Sequence, residues 1–172
     1  MELTTHIVQW PQQGPFVLCP IGDIQWAGDT ETVALDHLKR HIQRCQELDG
    51  RYVIMGDVID FASPSNRQRL KAAALYETSE AVLDKAAMTL LDEIYEIIKP
   101  LKNNTLGCLS GHHYYALQSG ITTDMKLCEM LGTKFLGTSG FIRLQFKYGT
   151  ARGNVVVWCH HGSGGGMKAA AP

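Results

Sequence analysis

The segment VIMGDVID (residues 53–60) sets an apolar run against a glycine and two acids three residues apart, Asp57 and Asp60. Three other apolar runs end in a similar way. PFVLCPIGD closes on Gly22-Asp23 with Gln25 just beyond, NTLGCLSG leads into Gly111-His112-His113, and GNVVVWCHH closes on His160-His161 before Gly162. Carboxylate oxygens and imidazole nitrogens gathered in one place suit manganese, iron or zinc, and a shared carboxylate can bridge two ions. Without a cation such a cluster would repel itself and resist desolvation, so metal is its natural compensation. On this reading Asp57 is a metal ligand and Asp60 a partner one step behind it. The plainer reading of each acid is a turn residue or helix cap, and of each histidine pair a surface feature.

The elements that must position these residues alternate along the chain. After a polar, proline-punctuated lead-in, residues 15–23 read as a short buried strand. In residues 29–50, Val33, Leu38, Ile42, Cys45 and Leu48 recur at helical spacing, with Thr30 as the expected cap and Gly50 as the expected stop. RYVIMGD is a second strand. Residues 65–99 form a long helical region whose apolar face is Leu83, Ala87, Leu90, Leu91, Ile94 and Ile98, stopped by Pro100. NTLGCLSG is a third strand and TTDMKLCEMLG a short amphipathic helix. FIRLQFKYG and GNVVVWCHH form an antiparallel pair with its turn expected between Tyr148 and Asn154. This alternation is the mark of a layered α/β sheet, in which ligands bind at the carboxyl ends of strands.

Length and composition fit one domain spanning residues 1–172, with a core over 15–162 and a Gly/Ala-rich tail over 163–172 expected to be flexible. A formal net charge of -1 gives no support for a polyanion-binding surface. The five cysteines are odd in number, scattered and mostly in apolar segments, which suits buried free thiols better than disulfides or a thiolate zinc site. No secretory leader and no apolar run of about 18 residues is present, so the expected setting is cytoplasmic, without membrane contact. His37 and His41 imitate a zinc pair, but HLKRH lacks the glutamate of H-E-x-x-H and reads as a solvated helix face. Arg67, Arg69 and Lys71 read as a charged helix face that could alternatively steer phosphate.

Taken together, Asp23-Ile24-Gln25, Gly56-Asp57-Val58-Ile59-Asp60, Gly111-His112-His113-Tyr114 and His160-His161-Gly162 resemble the calcineurin-like metallophosphoesterases. That family's motifs run D-x-H, G-D-x-x-D, G-N-H-[DE], a lone His and G-H-x-H, each at a strand end. The resemblance covers nearly the whole chain from residue 15 onward, and the HHGSGGG segment makes it most similar to the phage and prophage-type branch, which would mean host cytoplasm. It implies a sheet sandwich flanked by helices and two divalent ions, manganese first, with iron or zinc as alternatives. The implied metal ligands are Asp23, Gln25, Asp57 (bridging both ions), His112 and His161. His113 would be the general acid, oriented by Asp60, and a metal-activated hydroxide would hydrolyse a phosphate ester, either a monoester or a diester, with nucleotide or nucleic acid among the candidates. Gln25 stands where the family has histidine, His112 where it has asparagine and Tyr114 where it has an acid, and no G-H-x-H follows Gly162. The expectation is therefore a C-terminally truncated phosphoesterase or, as the second reading, a weak or inert domain of the same fold with a binding or assembly role. The oligomeric state is left open.

Overall fold

A computed structural model describes residues 2–9, 15–31, 33–61 and 77–162. Among them run β1 (Glu2–Gln9), β2 (Leu18–Ile21), α1 (Leu35–Glu47), β3 (Arg51–Ile54), α2 (Glu77–Ile98), a 3-10 segment (Lys99–Asn104), β4 (Thr105–Cys108), α3 (Thr123–Leu131), β5 (Ser139–Tyr148) and β6 (Ala151–His160). The class is mixed α/β, and the strands divide into two three-stranded sheets, ordered β2-β3-β4 and β1-β5-β6. The first is wholly parallel; in the second, β1 runs parallel and β6 antiparallel to β5.

Period-two alternation decides how the sheets stack. Along β3, Tyr52 and Ile54 point to a core shared with Ile42 and Cys45 of α1, Leu91, Ile94 and Ile98 of α2, and Leu127, Cys128 and Leu131 of α3. Val53 points the other way, into a second core with Leu106, Leu109, Leu136, Ile142, Leu144 and Cys159. The β2-β3-β4 sheet thus packs helices on one face and the other sheet on its opposite face. A strand buried on both faces reads as a continuous apolar run, which is why RYVI carries no polar alternation.

Several boundaries differ from the sequence reading. Residues 2–9, read as a polar lead-in, form a strand alongside β5, with Glu2 opposite Gly140 and Gln9 opposite Lys147. The pairing is tertiary, so no local signal announces it. His6 Nε2 donates to the Leu106 carbonyl at 2.8 Å and Lys134 pairs with Glu2 at 3.0 Å, pinning β1 in place. Helix α1 begins after Ala34, without a side-chain cap, rather than at Thr30. It ends with Asp49, not Gly50, in the left-handed conformation (φ 49°). The amides of Asp49 and Gly50 return to the carbonyls of Gln46 and Cys45, which closes the last turn. The β5–β6 turn is tighter than expected, confined to Gly149 and Thr150. Residues 62–76, with Arg67, Arg69 and Lys71, and the tail 163–172 lie outside the described residues.

All five cysteines are buried free thiols. No helix among the described residues is long and apolar enough to cross a membrane.

Ile94 is fully buried where α2 meets the sheet, whereas Val82 on the same helix is 67% exposed. Urea denaturation is expected to show Ile94→Ala losing about 2–5 kcal/mol, and Val82→Ala changing stability by less than about 0.5 kcal/mol. Equal losses in both variants would contradict the packing of α2.

Candidate metal centre

The loops after β2, β3 and β4 leave the same edge of the parallel sheet, and their backbones touch. The amides of Asp23 and Gln25 donate to the carbonyls of Gly56 and Asp57 at 3.1 and 2.9 Å. Asp23, Gln25 and Asp57 all hold left-handed backbone, with φ of 52°, 51° and 52°. Such conformations cost of order 1–2 kcal/mol each for residues with a Cβ and persist only where surrounding contacts impose them. Gly56 and Gly111 make the approach between loops possible. A Cβ on Gly56 would overlap the Gly111 amide, and one on Gly111 would overlap both Oδ1 and the amide nitrogen of Asp57.

That close approach puts the Asp57 carboxylate beneath the turn after β4. Its Oδ1 accepts from the amides of His112 at 2.5 Å and His113 at 2.8 Å. Its Oδ2 stands 3.2 Å from His161 Nε2, and Asp57 itself is only 4% exposed. His161 arrives from the other sheet, one residue past β6, where its amide donates to the Thr138 carbonyl.

The tautomer of His161 follows from its second contact. His161 Nδ1 lies 2.6 Å from the carbonyl oxygen of Met55, which can only accept, so Nδ1 carries the proton. Nε2 then faces Asp57 Oδ2 at 3.2 Å, where a second ring proton would make a direct ion pair and a bare lone pair would be shared with the carboxylate by a cation. A histidine that donates one ring N–H to a backbone carbonyl and turns its other nitrogen toward a carboxylate has the disposition of a metal ligand. His112 completes the group: one donor atom from each of Asp57, His112 and His161 lies within 4.8 Å of the others. The His112 and His161 rings stand 4.6 Å apart between centroids. Two imidazoles and a carboxylate are a donor set that fits zinc, iron or manganese, so the residues present fit an ion.

His113 turns away from this group. Its Nδ1 donates to Asp60 Oδ1 at 3.1 Å, which fixes the ring and its tautomer. Asp60 is itself placed by its amide, which donates to the Trp26 carbonyl. Asp23 and Gln25 are exposed, and Asp23 is not part of the three-ligand group. His160 is exposed on the far side of β6, stacked at a tilt on Trp158 with its Nδ1 accepting from the Gly162 amide. His37 and His41 remain on the exposed face of α1.

One residue with a place here was not singled out in the sequence. Asp124, 3% exposed in the first turn of α3, accepts from the Gly111 amide at 2.9 Å and from Ser110 Oγ at 3.3 Å. Burial pushes its carboxyl above the ordinary carboxylate range, and the two hydrogen bonds pull it part of the way back. Its sequence signal, an acid two residues after a capping threonine, is also that of any helix start. Comparison of the chain with protein-family models, with curated proteins and with solved structures finds no significant match in any of the three.

The crowding at Gly111 gives a direct check. Gly111→Ala is expected to lower stability by at least about 2 kcal/mol through overpacking, measured by chemical denaturation. Gly153→Ala, with nothing within 4 Å of the added methyl, is expected to be close to neutral. A Gly111→Ala protein as stable as wild type would mean that the two loops do not touch as described.

Proposed function

We propose that this chain is a divalent-metal-dependent phosphoesterase of the metallophosphoesterase type, with one ion held by Asp57, His112 and His161 and His113 acting as general acid. The observation that carries the proposal is the double use of Asp57 Oδ1. By accepting successive amides it anchors a ligand, His112, and a candidate acid, His113, to the same carboxylate whose other oxygen faces His161. Two packed sheets with the polar residues gathered at strand ends support the sandwich architecture that the resemblance implies.

A bound ion would supply Lewis acidity toward a phosphoryl oxygen and acidify an attacking water. The residues of the chain do the rest. The Asp60 carboxylate holds His113 Nδ1–H, so the ring can present a proton on Nε2 to the leaving oxygen while Asp60 stabilises the imidazolium. Met55 holds His161 in its ligating tautomer through its carbonyl. The loop backbones at Asp23 and Gln25 brace the Asp57 turn from the side opposite Gly111. A second ion, if bound, would share Asp57 and draw on Asp23.

One observation favours the second reading, a domain of this fold that binds without catalysing: Asp23 and Gln25 are exposed, and Asp23 is not part of the donor group. The two readings part on one experiment. The purified protein is analysed for metal content and assayed with added manganese on p-nitrophenyl phosphate and its bis ester. We expect a stoichiometric ion and metal-dependent hydrolysis in the wild type, and loss of both in Asp57→Asn. His113→Ala is expected to keep the ion while kcat falls about 10²–10⁴-fold. An ion with no hydrolysis would favour the binding domain. No ion, with identical background rates in all three proteins, would sink the proposal.

A further inference from the structure

We infer that Asp124 is a positioning residue for the metal centre, holding the turn from Ser110 to His113 in the arrangement that delivers both histidines to Asp57. The inference rests on the reading of Asp57, His112 and His161 as ion ligands.

Four consecutive amides pass through this turn, and every one of them has an acceptor. Ser110 N donates to the Gly137 carbonyl at 2.8 Å. Gly111 N donates to Asp124 Oδ2 at 2.9 Å. His112 N and His113 N donate to Asp57 Oδ1. The turn is therefore strung between two buried carboxylates, one at the end of β3 and one at the start of α3. Ser110 Oγ adds a second hydrogen bond to the same Asp124 oxygen at 3.3 Å. Removing Asp124 would free Gly111, the residue whose closeness to Asp57 leaves no room for a Cβ. Any shift there moves the next two amides off Asp57 Oδ1, and with them the imidazole of His112.

The competing role, a cap for α3, is already filled. Thr122 stands at the N-cap and its Oγ1 accepts from the Met125 amide at 3.2 Å. The carboxylate of Asp124 reaches across to another element instead. A buried carboxylate is costly unless its oxygens are hydrogen-bonded, and here the bonds come from the metal-centre turn, not from the helix.

The test is isothermal titration of manganese into metal-free wild type, Asp124→Ala, Asp124→Asn, Ser110→Ala and Thr122→Ala, with amide hydrogen exchange on the same proteins. Loss of a residue that orients ligands typically weakens metal binding about 10–100-fold. We expect that loss in Asp124→Ala, together with faster exchange at Gly111, His112 and His113. Asp124→Asn, which keeps an oxygen for the Gly111 amide, is expected to stay near wild type. Thr122→Ala is expected to lower the melting temperature without weakening manganese binding. If Thr122→Ala weakens binding as much as Asp124→Ala does, Asp124 is a helix residue only and the inference fails. Should Asp124→Ala not fold, Ser110→Ala decides: weaker manganese binding and faster exchange at Gly111 support the inference, and unchanged values overturn it. A wild type that binds no manganese would instead remove the metal reading, while the exchange rates would still report whether Asp124 holds the turn.

Discussion

A carboxylate with 4% exposure must have both oxygens answered, and the loops around Asp57 are arranged by that requirement. Oδ1 is answered by two amides, which can reach it only if the chain after β4 passes directly over the turn after β3. That passage demands glycine at positions 56 and 111 and left-handed backbone at Asp57. Oδ2 is answered by His161, whose ring is held from behind by the carbonyl of Met55, two residues upstream of Asp57 itself. The turn after β3 thus supplies both the carboxylate and the group that aims its partner.

The centre is divided between the two sheets. Asp57, His112 and His113 follow strands of the parallel sheet, while His161 follows β6 of the other. Their separation is set by the apolar layer between the sheets, where Val53, Leu106 and Leu109 meet Ile142, Leu144 and Cys159. Close packing makes such a layer stiff, so a volume change there is transmitted to the distance between His161 and Asp57. Asp60 is tied differently, through the bridge between Trp26 and Ile59 on the helix side, and Trp26 is in turn anchored by its indole N–H to Glu93 of α2.

The parts of this arrangement that were legible in the sequence share a local cause. Apolar runs broken by glycine and a polar residue marked β2, β3 and β4, and helical spacing marked α1, α2 and α3. The histidine pairs at 112/113 and 160/161 and the acids at 57 and 60 stood out by their position at strand ends, but sequence could not separate His160 from His161. In the structure, β6 turns one outward and the other toward Asp57. Strand β1 was hidden because its hydrogen bonds go to residues far along the chain. Asp124 was hidden because its signal is that of an ordinary helix start, and its contact lies on another element. Which strands share a sheet was equally invisible to residue spacing, since alternation gives the face of a strand but not its neighbour; only the family resemblance implied a sandwich.

Strand β1 also bears on the order in which the chain can assemble. Its partner lies roughly 140 residues downstream, Glu2 against Gly140, whereas β2 pairs with β3 and β3 with β4, each the next strand in sequence. At a synthesis rate of about 5–20 residues per second, β1 waits roughly 7 to 30 s for its partner to be made. Parallel pairing over such a separation is slow to form in any case. The parallel sheet, with Asp57 and the His112-His113 turn, can be built while β1 is still alone. His161 comes last, after β5 and β6 have been made and have paired. If the donor group holds an ion as proposed, its capture would be a late event tied to completion of the fold, and the half-made chain would have a carboxylate with only amides for company.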